Sequence, residues 1–199
     1  MAGTFWGSDA TAEQELWQRV DQVLPADLAQ STVIDIGASK GLFAFEAAHR
    51  GAAHVMAVEK DTGCVDFMRR LRSAEAIPLA TCQVDAMTQP LPRLWLHGVP
   101  VRYDVALLLN VLHWSLTPEV LLRKTLDICD RCIIETPFTV GKTPYRDPHG
   151  SWPDLQCLPP MWVQERAAEN GFRVAAMANS TFYPGYRMIF RLERVTTCA

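Results

Sequence analysis

The sequence predicts an α/β fold: a doubly wound, seven-stranded, mostly parallel sheet with an antiparallel last strand and helices on both faces. Short apolar runs alternate with stretches of helical periodicity through most of the 199 residues, which favours parallel strands joined by right-handed crossovers. Most of the runs are continuously apolar over several residues and do not alternate with polar ones, as expected of strands that are buried on both faces. The last two runs have no helix between them, which predicts that they pair antiparallel.

The N-terminal part predicts a helix, a strand and a second helix. Residues 11–24 carry an apolar stripe of helical spacing, which Pro25 ends. Residues 32–36 form a short apolar strand candidate. Residues 42–50 are helical in pattern, and Gly51 follows them as a C-cap.

The central part predicts three more strands. Residues 54–58 and 80–84 are short runs that each end at an acidic residue, with a helical stretch over 62–73 between them. Residues 103–109, Tyr-Asp-Val-Ala-Leu-Leu-Leu, are strongly apolar and too short for an independent helix.

The C-terminal part predicts a helix, a strand, a long loop, another helix and a final pair of strands. The helix is predicted over 117–128, the strand over 131–135 and the long loop over 136–160. The second helix is predicted over 161–170 and the two final strands over 172–178 and 186–192. The long loop is rich in Pro, Gly, Asp and aromatic residues, and a loop of this length is often functional. The final pair is expected to form an antiparallel edge of the sheet.

Composition excludes several classes of protein. A formal net charge of −3 disfavours a large nucleic-acid footprint. No apolar run approaches the length of a membrane span, and the N-terminus lacks a basic segment followed by an apolar block, so we expect a cytoplasmic protein. The six cysteines are scattered. Cys129 and Cys132 are expected to be structural rather than a metal pair, because no second pair or His cluster accompanies them, and no metal site is predicted.

Polar residues, and in one case also a glycine, lie where four of the predicted strands end. Asp35 and Gly37 are at the end of the first, Glu59 of the second, Asp85 of the third and Asn110 of the fourth. A doubly wound sheet binds ligands beyond these carboxyl ends. An acid after the second strand can accept both hydroxyls of a ribose, and one after the third can accept from an exocyclic adenine amine.

The glycine loop after the first strand indicates which nucleoside is bound. Its sequence from Gly37 to Leu42, Gly-Ala-Ser-Lys-Gly-Leu, lacks the G-x-G-x-x-G spacing that places a pyrophosphate on a helix start. Acids at both strand ends fit a nucleoside that carries an amino acid and no phosphate, and S-adenosylmethionine is such a molecule.

Four motifs resemble those of the class I, Rossmann-like S-adenosylmethionine-dependent methyltransferases: VIDIGASKG, VMAVEKD, CQVDAM and YDVALLLNVLHW, in that order. The resemblance implies a single methyltransferase-like domain over 1–199. It has an N-terminal helical segment (1–30), a cofactor-binding half (31–136) and a substrate-side part (137–199).

The resemblance also implies a set of cofactor-binding residues. The loop would shape the methionine end, Glu59 would hold the ribose, Asp85 and Ala86 would meet adenine, and Asn110 would lie beside the methionine and the methyl group. The full set is Asp35, Gly37, Ala38, Gly41, Glu59, Lys60, Asp85, Ala86 and Asn110.

Each role has a structural alternative. Gly37 can serve a tight turn only, Glu59 can be a surface acid, Asp85 a helix N-cap, and Asn110 the cap of the next turn. Ser39 stands where a common version of the loop has a third glycine, and its side chain either crowds the cofactor or turns away.

The expected reaction is transfer of a methyl group to a small organic acceptor by in-line displacement, in which the protein mainly aligns donor and acceptor. His113 is the candidate catalytic base or acceptor contact, and Trp114 either lines the pocket or fills the core. Walls for the acceptor are expected from the long loop: Thr136, Phe138, Tyr145, Arg146, His149 and Trp152. Phe5 and Trp6 near the N-terminus are expected to fold over the cofactor.

The form Asn-Val-Leu-His-Trp at 110–114 looks more like enzymes that act on small molecules than the Asn/Asp-Pro-Pro-Tyr/Phe form of nucleic-acid amino-methyltransferases. Two alternatives stay open. One is an RNA or protein methyltransferase with the same cofactor site. The other is a non-catalytic cofactor-binding partner subunit with the same fold.

Overall fold

A computed structural model describes residues 10–138, 158–181 and 186–196. The helices are α1 Ala10–Val23, α2 Leu42–His49, α3 Thr62–Glu75, α4 Pro118–Leu126 and α5 Pro160–Glu169, with a short 3-10 helix at Leu112–Trp114. The strands are β1 Thr32–Ile36, β2 His54–Glu59, β3 Leu79–Gln83, β4 Leu94–Leu96, β5 Val99–Val101, β6 Tyr103–Leu109, β7 Cys129–Pro137, β8 Phe172–Asn179 and β9 Arg187–Arg194.

Seven strands form one sheet in the order β3-β2-β1-β6-β7-β9-β8. The first five of these pair in parallel, and β9 is antiparallel to both of its neighbours. The predicted fold class is therefore confirmed. The final pair of strands forms the antiparallel edge of the sheet as expected, with β9 lying between β7 and the edge strand β8.

Helices cover both faces of the sheet, and the alternation of side chains along β1 shows how. Ile34 and Ile36 lie in one apolar cluster with residues of α4 and α5. Val33 lies in the other, with residues of α1, α2 and α3. Successive side chains of a strand point to opposite faces, so β1 is buried from both sides.

The sequence prediction missed one hairpin. Strands β4 and β5 form a separate two-stranded sheet joined by His97 and Gly98, whose φ values are 51 and 79. Positive φ at both central positions is what a tight hairpin turn needs. Each strand has only three residues, too few to show the alternation that predicts a strand.

Strand β7 is longer than expected. It begins at Cys129 and ends at Pro137, so Thr136 belongs to the strand and not to the long loop. Cys129 and Cys132 are both fully buried and unbridged, so both lie in the core. Within the described ranges, no helix is long and apolar enough to cross a membrane.

Candidate functional site

A cavity of about 440 Å³ opens beyond the carboxyl ends of β1, β2, β3 and β6. The sheet order reverses between β1 and β6, which makes this edge the switch point where doubly wound sheets bind ligands. The lining residues are Gly37, Val58, Glu59, Lys60, Val84, Asp85, Ala86, Met87, Val111 and Trp114.

The loop after β1 is built on left-handed backbone. Gly37, Ser39 and Gly41 have φ values of 75, 51 and 89, and the amides of Gly37 and Ala38 donate to the Val58 carbonyl. A Cβ added at Gly37 would lie 2.3 Å from Cγ2 of Val111. Gly37 therefore serves the turn and also allows Val111 to pack against the loop at the edge of the cavity.

Ser39 does not obstruct the cavity. Its side chain is exposed and absent from the lining residues, and its hydroxyl faces the Cys64 thiol on α3. Gly41 is buried, and an added Cβ would lie 2.8 Å from Sδ of Met68. Gly41 thus packs the loop onto α3 and does not itself line the cavity.

Glu59 joins two loops through its carboxylate. Oε1 accepts from the amides of Lys60 (2.7 Å) and Asp61 (2.9 Å), and Oε2 accepts from the amide of Ser39 (2.8 Å). A carboxylate has about four acceptor positions, so one remains for a ligand hydroxyl. The half-buried Glu59 is fixed in place before any ligand arrives, and it is not a loose surface acid.

Asp85 organises the turn that forms the opposite wall. Its Oδ1 accepts from the amide of Met87 at 3.0 Å, and its own amide donates to Oε1 of Gln89 at 3.0 Å. It caps a turn and not a helix. Lys124 of α4 reaches the same turn and donates to the carbonyls of Gln89 (3.0 Å) and Ala86 (3.4 Å).

Asn110 and Glu135 are joined behind the cavity. Asn110 follows β6 with φ 59, and its Nδ2 donates to Oε2 of Glu135 at 2.7 Å. Glu135 is fully buried and also accepts from Arg19 of α1, whose Nε lies 3.0 Å from Oε2, and from the Ser180 hydroxyl. Asn110 bonds to Glu135 instead of capping the next turn.

Asp35 is buried on the face of the sheet covered by α1 and α2. Only 3 % of it is exposed. Burial raises the pKa of Asp35 to about 7, with help from the charge of Glu59, whereas the charge of Arg19 and the amide of Ala44 oppose the rise. Oδ2 of Asp35 has no hydrogen-bond partner in the described ranges.

His113 lies in the 3-10 helix with only 3 % of it exposed, and it does not line the cavity. Burial, and then the charge of Arg187, lowers the pKa of His113 to about 3, so the ring is neutral at neutral pH. Trp114 does line the cavity, with 36 % of it exposed. Thr136 is buried and Phe138 half-buried.

Six residues of the sequence prediction lie outside the described residues: Phe5 and Trp6, expected to fold over the cofactor, and Tyr145, Arg146, His149 and Trp152, expected in the acceptor wall.

The structure divides the predicted cofactor residues into two groups. Those in the cavity wall are Gly37, Glu59, Lys60, Asp85 and Ala86, and those behind it are Asp35, Ala38, Gly41 and Asn110. Sequence reasoning missed Val58, Val84 and Val111 in the wall and Arg19, Lys124, Glu135 and Ser180 behind it. The sequence does contain a sign that Glu135 is unusual, because it is an acid inside an apolar strand. It contains no such sign for Arg19.

Comparison with solved structures supports the fold. The magnesium protoporphyrin IX methyltransferase ChlM of Synechocystis PCC 6803, with bound SAH, matches with a TM-score of 0.72 and 18% identity, covering 95% of this chain and 89% of that one. An S-adenosylmethionine-dependent methyltransferase from Listeria monocytogenes, assigned that function provisionally, matches with a TM-score of 0.69 and 16% identity, covering 92% and 100%.

The [4+2]-cyclase SpnF matches with a TM-score of 0.71 and 14% identity, covering 97% of this chain and 87% of that one. No protein-family model and no curated protein sequence matches the chain. At these identities the likeness concerns the fold. The chain has the Rossmann-like fold found in class I S-adenosylmethionine-dependent methyltransferases, as its four motifs predict.

Proposed function

We propose that the chain binds S-adenosylmethionine in the cavity beyond β1, β2 and β3 and transfers its methyl group to a small organic acceptor. The observation that carries the proposal is the pair of carboxylates in the cavity wall. Glu59 ends β2 and Asp85 follows the neighbouring strand β3, and both have one or more oxygens already oriented by backbone amides. Such preorganisation lowers the cost of binding a nucleoside.

The placement of the wall residues supports an orientation for the cofactor. One ribose hydroxyl donates to the remaining acceptor position of Glu59, and the adenine lies against Ala86 and Met87 with its amine near Asp85. The methionine end then extends past Gly37 towards Val111, Asn110 and Trp114. S-adenosylmethionine supplies an electrophilic methyl group on a sulfonium, and these residues bind and align the donor.

A small organic acceptor is favoured by the apolar character of the cavity near Val111 and Trp114 and by the net charge of −3. The neighbours with this fold include a protein described as PhzM, a pyocyanin biosynthetic protein, and another described as an RNA methyltransferase, assigned that function provisionally. An RNA or protein acceptor is therefore the alternative that the assay must include. The cytoplasmic location and the three-part division of the chain stay predictions.

His113 stays the proposed catalytic residue. Val111 and Trp114, on either side of it in sequence, line the cavity. The burial that lowers the pKa of His113 to about 3 also makes the ring a weak base where it now lies. Because the ring is buried, direct contact with the acceptor requires the 3-10 helix to shift on binding. His113→Ala is expected to lower turnover and leave the affinity for S-adenosylhomocysteine unchanged. Unchanged turnover would show that the role is wrong.

The proposal is tested by calorimetry and by a transfer assay. Titration with S-adenosylmethionine and S-adenosylhomocysteine should give one site per chain, and Glu59→Gln should weaken both. Labelled methyl donor is then supplied with metabolite, RNA and protein fractions. Label only in RNA or protein would exclude the small acceptor. Binding without transfer to any fraction would favour a non-catalytic subunit, or another reaction such as that of the cyclase with this fold.

A further inference from the structure

The buried carboxylate of Glu135 holds one side-chain amide in a single orientation. A carboxylate can only accept hydrogen bonds, so Asn110 must present its NH₂ group to Glu135, at the 2.7 Å that separates Nδ2 from Oε2. The carbonyl Oδ1 of Asn110 then points away from Glu135. The acceptor character of Glu135 therefore assigns the Oδ1 and Nδ2 atoms of Asn110, which are otherwise hard to distinguish.

Oδ1 of Asn110 is a buried acceptor without a partner in the described part of the chain. Such a group costs free energy unless something donates to it. Asn110 precedes Val111, which lies against Gly37 and lines the cavity. Asn110 itself lies behind the cavity wall, one residue before this lining position and next to the end of the site where the proposed ligand carries its amino-acid portion, whose ammonium is a strong donor.

Glu135 is itself held from two directions. Arg19 forms an ion pair with it from α1, and Ser180 donates from the segment after β8. A fully buried carboxylate with this many donors has little freedom to rotate. The ion pair thus fixes Glu135, and Glu135 fixes Asn110.

We infer that Glu135, held by Arg19, is a positioning residue that keeps the Asn110 carbonyl facing the ammonium group of the ligand's amino-acid portion. The inference rests on the proposed function, because it assumes a nucleoside that carries an amino acid. It adds a residue of β7 and a residue of α1 to the determinants of ligand affinity, although neither lines the cavity.

The test compares two ligands that differ in the amino-acid portion. S-adenosylhomocysteine has it, and 5′-methylthioadenosine lacks it. Glu135→Gln can donate its new amide to Asn110, which then turns its NH₂ group towards the ligand and repels the ammonium. The Kd for S-adenosylhomocysteine should rise about tenfold or more, while the Kd for methylthioadenosine changes less than about twofold.

A double variant provides rescue. Adding Asn110→Asp to Glu135→Gln lets the introduced amide donate to the introduced carboxylate, whose other oxygen again faces the ammonium. The ratio of the two Kd values should return towards that of the wild type. Thr125→Val is the matched control, because it removes another buried hydrogen bond, to the Leu121 carbonyl of α4, and should leave the ratio unchanged.

If Glu135→Gln fails to fold, Asn110→Gly is measured in its place. Glycine adopts a φ of 59 without strain, and the substitution removes the Oδ1 atom. The same rise for S-adenosylhomocysteine alone is expected. If both ligands weaken equally, or neither does, the positioning role is wrong while the proposed function stands. If the wild type binds neither ligand, the proposed function fails and this inference fails with it.

Discussion

Gly37 and Gly98 have nearly the same backbone conformation, with φ values of 75 and 79, but different surroundings. A Cβ at Gly37 would meet the Val111 side chain at 2.3 Å, whereas a Cβ at Gly98 would meet nothing within 4 Å. Gly98→Ala should therefore cost only the left-handed backbone, about 1–2 kcal/mol.

Gly37→Ala should cost a further 1–3 kcal/mol, roughly, because the loop or Val111 must move. It should also abolish binding of S-adenosylhomocysteine. Denaturant unfolding and calorimetry of both variants measure these effects. Equal affinity in the two variants would show that the close approach of Gly37 to Val111 does not shape the site.

Asp35 makes stability depend on pH in a defined direction. Its pKa rises from 3.8 to about 7 on folding, so between these values the folded protein holds a proton that the unfolded chain has released. The free energy of unfolding therefore falls by at most about 4 kcal/mol, through this group, as pH rises from about 4 to about 7. Above about pH 7 the contribution of Asp35 no longer changes. Asp35→Asn should remove that slope. Parallel curves for the variant and the wild type across this range would contradict the assignment.

At the scale of elements, α4 supports the cavity from behind. Lys124 donates to carbonyls of the turn that carries Asp85, Ala86 and Met87. Lys124→Met should loosen that wall and weaken S-adenosylhomocysteine several-fold, since the ligand must then order the turn on binding. Arg123→Met, an exposed neighbour on the same helix, is the control. Equal affinities for the two variants would show that the turn needs no such support.

The sheet was predictable from the sequence because its central strands are largely apolar runs, and acids, glycines or an asparagine mark the ends of the first four. The wall residues Glu59 and Asp85 were predictable for the same reason, since a charged residue directly after a buried strand must lie at the edge of the sheet. Arg19 was not predictable. Its contact with Glu135 joins residues 116 positions apart, and nothing local distinguishes this arginine from one that faces solvent.

The hairpin β4–β5 and the buried state of His113 were missed for different reasons. The hairpin strands have three residues each, below the length at which alternation is visible. His113 follows a strand end, a position that predicts access to ligand. It is instead covered because the 3-10 helix turns it into the protein. The burial of one side chain in a turn depends on packing and not on spacing.

At the scale of the whole molecule, the fold restricts the reaction without fixing it, because proteins with this fold include both methyltransferases and a cyclase. Whichever reaction takes place, ligand binding at the proposed site is linked to folding. The cavity wall draws on β1, β2, β3 and the segment after β6, which are separated in sequence and come together only in the folded chain. The unfolded chain therefore has no site.

A ligand that binds only the folded state raises stability by about 2.7 kcal/mol at a concentration of 100 times its Kd. For a chain of this size that is a rise in Tm of about 5–10 °C. S-adenosylhomocysteine should produce this rise in Tm. Glu59→Gln should give a smaller rise at the same ligand concentration, because the ribose loses a carboxylate acceptor. NAD should have no effect, since the loop lacks the spacing for a pyrophosphate. A rise with NAD and none with S-adenosylhomocysteine would show that the cavity serves a dinucleotide instead.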